Sequence, residues 1–232
     1  MTANKQKLLL LGASGSIGFA IRQKFIAQSW DVVGVSRGDV SESCQVSWNP
    51  LDKKSIFPME FGPFDAVCWA QGKNGNDSIY DFDEETHREI YEANVIYVLN
   101  SLNYLLKNNL IIKPSRLCII SSIWQDIARQ NKLSYGVSKS ALRGLILSLA
   151  NDMARDGHLV NAVLPGALDT PMTHQNLSKK QLDAVTTATQ FERLASLEDV
   201  ANAAYFLCSQ ENTGITGQFV KVDLGYSDVR II

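Results

Sequence analysis

Residues 7–18 read KLLLLGASGSIG, and the order of residue types in this stretch decides the fold. Four consecutive leucines make a strand-length run without polar alternation, which suits a strand buried on both faces. Gly12, Gly15 and Gly18 then punctuate the chain, and an amphipathic segment follows at 16–29. Strand, glycine turn and helix form the opening unit of a doubly wound α/β protein with a parallel sheet. Glycines in the first such turn let the backbone bend tightly and approach a pyrophosphate. The helix that begins around Ser14, Ser16 and Ile17 offers unpaired N–H groups and a positive dipole end. Glycine turns without ligands are common, but this one stands where a dinucleotide binds in folds of this type.

The rest of the chain repeats the alternation. Short apolar runs at 31–35, 64–70, 116–121, 159–164 and 218–222 read as strands. Longer amphipathic segments at 82–107, 134–156 and 197–209 read as helices. The first of these carries Asp83, Glu84 and Glu85 at its start, and the last has Ser196 as an N-cap. The segment 40–58 is ambiguous, with a short strand at 45–48 and at most a short helix at 51–57. Residues 173–189 are polar and helix-prone, an excursion from the sheet pattern. No repeat or linker interrupts the sequence, so one Rossmann-type domain over residues 1–232, with helices on both faces of the sheet, is expected.

Bulk properties exclude several classes of function. A net charge of −2 gives no electrostatic reason to expect nucleic acid or an anionic membrane as partner. No apolar run approaches the roughly 18 residues that a membrane span needs, and the N-terminal run leads into glycines rather than a cleavage site. Cys44, Cys68, Cys118 and Cys208 lack a Cys-x-x-Cys pairing and fit free thiols in a reducing cytoplasm. His87, His158 and His174 have no ligand-like spacing, and no metal is expected.

The chemistry concentrates in residues 116–145, RLCIISSIWQDIARQNKLSYGVSKSALRGL. A buried strand ends in Ser121 and Ser122, and after a polar loop a helix carries Tyr135 and Lys139. Positions i and i+4 share a helix face, so a phenol and an ammonium point into the same space. The positive charge is expected to lower the proton affinity of the phenol. A Tyr-x-x-x-Lys pair is weak alone; the serine thirteen residues upstream, at the carboxyl end of a strand, gives it weight. After the second strand come Ser36 and Arg37, with no carboxylate to hold a ribose 2′-hydroxyl. Arg37 can pair with a 2′-phosphate, so NADP is expected over NAD.

These motifs, in this order, resemble the short-chain dehydrogenase/reductase family over residues 7–226. Ser122, Tyr135 and Lys139 match its Ser–Tyr–Lys group, Asn94 its helix asparagine, and 160–170 (VNAVLPGALDT) its Pro-Gly element with a following threonine. The resemblance implies an oxidoreductase that interconverts a carbonyl and an alcohol, and a small-molecule substrate. In that scheme Tyr135 exchanges a proton with the substrate oxygen, which Ser122 holds. Lys139 lowers the tyrosine pKa and bonds the nicotinamide ribose, and Asn94 positions a relay water. Ala70, Gln71 and Gly72 pass the adenine ribose, while Pro165, Gly166, Leu168 and Thr170 bound the nicotinamide and phosphates. The resemblance also implies a substrate lid at about 171–192, a pocket wall at Trp124 and Gln125, and a homodimer or homotetramer built through the helices at 82–107 and 134–156.

Departures from the family pattern are visible. The middle glycine falls one residue early, at Gly15, a spacing found in the family's extended branch. Trp69-Ala70-Gln71-Gly72 stands where Asn-Asn-Ala-Gly is usual, and Asp223-Leu224-Gly225 replaces Asp-Gly-Gly. Two rival classes stay open at this point. A non-catalytic NADP-binding sensor would be free to lose Ser122, Tyr135 or Lys139, all of which are present. A serine hydrolase using Ser122 would want a Gly-x-Ser-x-Gly elbow and a nearby histidine.

Overall fold

Among the described residues, every named strand lies in one parallel sheet. The computed structural model describes residues 5–38, 45–170, 173–174 and 178–229. The strands are β1 (Lys7–Leu11), β2 (Asp31–Ser36), β3 (Val46–Ser47), β4 (Phe64–Trp69), β5 (Ile111–Ile120), β6 (Leu159–Pro165) and β7 (Phe219–Val222). Their order is β3-β2-β1-β4-β5-β6-β7. The order reverses between β1 and β4, where Leu8 pairs with Ala66 and Leu11 with Trp69. This is the switch point at which open α/β sheets leave a crevice for ligands.

Alternate residues along each strand feed opposite cores. Leu9 and Leu11 pack with Val33, Val35, Val67, Trp69, Leu117 and Ile119 on one face. Leu8 and Leu10 pack with Val32, Ala66, Cys68, Cys118 and Ile120 on the other. Both faces are covered, which explains the unbroken apolar runs. The helices are α1 (Ser16–Ala27), α2 (Glu84–Tyr91), α3 (Tyr97–Lys107), α4 (Leu133–Asp152), α5 (Lys179–Thr186) and α6 (Leu197–Cys208). Residues of α1 and α6 join the second core, and residues of α3 and α4 the first. No helix among the described residues is long and apolar enough to cross a membrane.

Two elements differ from the sequence expectation. The helix expected over 82–107 is interrupted by a π-helical turn at Glu92–Ile96, between α2 and α3. Strand β5 starts at Ile111 rather than 116; its pairing with β4 shifts register between Phe64 and Ala66, which accommodates Pro114. No helix forms at 51–57. There the Asn49, Asp52 and Ser55 side chains take the backbone N–H groups of Leu51, Lys54 and Asn49, competing with helix formation. The expected lid is described only at 173–174 and from 178 on, where Ser178 and Gln181 form a capping box at α5. Cys44 and Met172 lie outside the described residues.

Candidate active site

The turn after β1 meets the segment after β4 at the switch point. Gly12 has φ +82°, and a Cβ there would stand 2.5 Å from the Gln71 nitrogen. At Gly18 a Cβ would stand 2.1 Å from the Gly12 carbonyl oxygen. Neither position admits a side chain. Gly15 sits at the N-cap of α1, which has no side-chain cap and no acidic residue in its first turn. Ser14, Gly15 and Ser16 are exposed around that bare helix end, and Ile17 is half-buried beside them. The buried Oε1 of Gln71 has no hydrogen-bond partner. A glycine cradle, an uncapped helix N-terminus and an orphaned acceptor at one crevice fit a dinucleotide phosphate chain and ribose. At the end of β2, Ser36 is half-buried and Arg37 exposed.

Residues 120–139 bring the candidate catalytic groups together. Ser122 follows β5 with extended backbone, and its Oγ accepts from Trp124 N at 3.3 Å. Its side chain faces the Tyr135 phenol and favours the ionised form of that phenol. Lys139 is buried on α4; its Nζ donates to the Ile120 carbonyl at 3.2 Å and lies 5.6 Å from the centre of the Tyr135 ring. Burial pushes the phenol above its ordinary pKa, and Ser122 opposes that. Burial also pulls Lys139 down to about 8. The phenol is therefore raised, not lowered as the pairing with Lys139 in the sequence suggests. The ammonium sits 5.6 Å from the ring centre and bonds a backbone carbonyl, and burial is the largest cause of the phenol's upward shift.

Asn94 stands in the π turn with both ends of its amide hydrogen-bonded. Its Oδ1 accepts from Lys73 N at 2.8 Å, while Nδ2 donates to Lys73 O at 3.0 Å and to Ser138 Oγ at 2.8 Å. Both amide protons are committed to bracing the post-β4 segment against α4. Gly72 completes this contact: a Cβ there would lie 3.0 Å from Asn94 Oδ1 and 3.7 Å from Lys139 Nζ. Ser138, which the sequence reading missed, is the partner that ties the two helices together. Its only sequence signal is its place beside Lys139.

Pro165 and Gly166 end β6 against the C-terminal segment, where a Cβ on Gly166 would meet the Asp223 Cβ at 2.7 Å. Leu168 bridges Ala195, and Thr170 Oγ1 accepts from Thr173 N at 3.2 Å. Gln125, expected as a pocket wall, is buried and accepts from Ser121 Oγ at 2.9 Å. It lines a cavity of about 390 Å³ with Trp124, Arg129, Lys132 and Val137, and neither Ser122 nor Tyr135 lines that cavity. The Arg129 guanidinium stacks 5.5 Å from the Trp124 ring centre. Among the described residues no three His, Cys, Asp or Glu side chains converge as a metal site.

Residues 54–227 match the protein family described as enoyl-(acyl carrier protein) reductase, three-quarters of the chain. The chain belongs to the short-chain dehydrogenase/reductase family. Members of the family similar to it include the uncharacterized oxidoreductase YmfI of Bacillus subtilis, 26% identical over 94% of this chain and 97% of that protein. The 3-oxoacyl-[acyl-carrier-protein] reductase FabG of Escherichia coli is 27% identical over 94% and 95%. Among solved structures, ElxO with NADP bound superimposes with a TM-score of 0.84 at 22% identity, covering 96% of this chain and 99% of that one. The chain is an oxidoreductase of this family.

Within the short-chain dehydrogenase/reductase fold, the early glycine becomes intelligible. The steric demand falls on Gly12 and Gly18, whereas a Cβ on Gly15 would meet only the Gly12 oxygen at 3.5 Å. The middle position is free to move. Where the family usually has asparagine, Trp69 is buried in β4 and donates from Nε1 to Ser101 Oγ at 2.8 Å, anchoring α3 to the sheet instead.

Proposed function

We propose that the protein catalyses reversible hydride exchange between NADP(H) and a carbonyl/alcohol pair, with Tyr135 as the general acid/base. The observation that carries this reading is the contact among Ser122, Tyr135 and Lys139 at the carboxyl end of β5. The cofactor supplies or accepts the hydride. Residues 12–18 and 70–72 hold its phosphates and adenosine, and Pro165, Gly166, Leu168 and Thr170 wall its other end. Reduction of a carbonyl leaves negative charge on the oxygen, which needs a proton and a hydrogen-bond donor aimed at it. Tyr135 gives the proton from its hydroxyl, and Ser122 donates to the same oxygen. The raised phenol pKa keeps Tyr135 protonated and ready as an acid. Lys139 replenishes that proton from a buried ammonium that titrates near neutrality, at about 8. Asn94 holds the relay in place through its bonds to Lys73 and Ser138.

Arg37 and the absence of a carboxylate at Ser36 support NADP over NAD, and the NADP bound to ElxO is in keeping with that choice. The activity of the E. coli relative makes 3-oxoacyl thioesters the first substrates to assay. The test is NADPH oxidation by the purified protein across a carbonyl panel headed by these thioesters. Turnover of a panel member supports the reading. NADPH binding without turnover across the panel would favour a sensor of the same fold, and failure to bind either nucleotide would defeat both.

A further inference from the structure

Helix α4 carries Tyr135 and Lys139, yet its own sequence does not cap it. Lys132, at the N-cap position, makes no side-chain cap, and the first turn holds no acidic residue. The first N–H groups of a helix have no partner within it and need one from outside. Here that partner comes from 57 residues upstream. The buried carboxylate of Asp77 accepts from Ser134 N at 3.0 and 3.3 Å, and from the Ser134 hydroxyl. Two backbone bonds join the same segments: Asp77 N donates to Asn131 O at 3.3 Å, and Leu133 N to Asp77 O at 3.2 Å. Lys132 Nζ adds bonds to Asn74 Oδ1 at 2.9 Å and Gly75 O at 3.0 Å. All of these converge immediately before Tyr135.

A count of protons orders the chain of contacts. An ionised carboxylate can only accept, so Ser134 gives its single hydroxyl proton to Asp77. His87 Nδ1 lies 2.8 Å from the same Ser134 oxygen and must then be the donor. This fixes His87 with a proton on Nδ1 and makes Ser134 a bridge between α2 and the Asp77 loop. The trio is not a hydrolytic triad, because the serine proton points at the acid rather than the imidazole, and Ser134 is 1% exposed.

We propose that Asp77, with Ser134 and His87, is the positioning device of the active site: it caps α4 from the segment after β4 and fixes the height of Tyr135 against Ser122. The proposal rests on the reading of Tyr135 as the acid/base. A negative charge at a helix N-terminus is also favoured by the helix dipole. An ångström of slack in the first turn would carry the phenol away from the substrate oxygen.

The test compares Asp77→Ala, Ser134→Ala, Ser134→Thr, His87→Ala and His87→Asn with wild type. Asparagine keeps a donor where Nδ1 stands, and threonine keeps the hydroxyl. Turnover with saturating NADPH and hydrogen exchange of the 131–140 segment are both measured. Asp77→Ala and Ser134→Ala are expected to lower kcat by roughly 10²-fold with little change in KM, and to speed exchange in the first turn of α4 while β5 stays protected. Ser134→Thr and His87→Asn are expected to recover most of both. Wild-type kcat and exchange in Asp77→Ala and Ser134→Ala would overturn the proposal. So would a loss that Ser134→Thr fails to rescue. If Asp77→Ala does not fold, the Ser134 pair decides, since it alters only one hydroxyl. If wild type and Tyr135→Phe turn over equally, the acid/base reading fails; exchange in the first turn then decides separately whether Asp77 caps α4.

Discussion

Lys139 is buried beside the ring of Tyr135, one turn along α4. The ammonium lies 5.6 Å from the ring centre and spends a proton on the Ile120 carbonyl at 3.2 Å. A cation is thereby buried under the tyrosine with a backbone carbonyl as its hydrogen-bond acceptor. Desolvation acts on both groups: it raises the phenol and lowers the amine to about 8, so the ammonium gives up its proton well before the phenol does.

Such a buried cation is a cost to the fold that depends on pH. The folded pKa of Lys139, about 8, lies below its ordinary value of 10.5. Below pH 8 the group is charged in both states and the penalty is complete. Between pH 8 and 10.5 the unfolded chain binds more protons, so stability rises with pH. Relative to Lys139→Met, wild type is expected to gain roughly 2 kcal/mol between pH 7 and 9.5. Urea denaturation of both proteins at the two pH values checks this, and Lys139→Met is expected to be inactive yet more stable at pH 7.

The three glycines of the first turn are expected to differ in their tolerance. Gly18→Ala places a methyl 2.1 Å from a carbonyl oxygen, whereas Gly15→Ala makes an ordinary contact at 3.5 Å. Titration of NADPH by its fluorescence should show Gly15→Ala binding like wild type. Gly18→Ala should lose affinity by about 1.4 kcal/mol or more, tenfold in Kd.

Arg37 is expected to act on one nucleotide only. Removing a charged hydrogen-bond partner of the 2′-phosphate should cost NADPH binding roughly 1.5–3 kcal/mol in Arg37→Ala and leave NADH nearly unchanged. Equal losses for the two nucleotides would reverse the cofactor assignment.

Self-association is expected on the outer faces of α3 and α4, where Leu99, Val137 and Leu147 are exposed. Leu147→Glu should shift the protein to a smaller species in light scattering without altering its far-ultraviolet circular dichroism.

Much of the sheet was legible because a strand buried on both faces leaves an unbroken apolar run, as at Leu8–Leu11, and glycine marks its end. The Ser122, Tyr135 and Lys139 spacing was legible because the strand end and the i, i+4 helix relation fix geometry locally. What escaped the sequence depends on contacts across the fold. The π turn at Glu92–Ile96 has no local breaker residue, and its Asn94 is held by Lys73 and Ser138 from other segments. The Asp77 cap on Ser134 spans 57 residues and carries no periodic signal. The direction of the Tyr135 shift is not legible in sequence, because the charge of Lys139 can be read there while the burial that raises the phenol cannot.

The central claim is that Tyr135 transfers the proton while the nucleotide site exists independently of it. The direct measurement is single-turnover NADPH oxidation by Tyr135→Phe, with NADPH affinity measured on the same sample. The expected result is a rate lowered by roughly 10²–10⁴-fold with wild-type affinity. A Tyr135→Phe protein that oxidises NADPH at the wild-type rate would contradict the account.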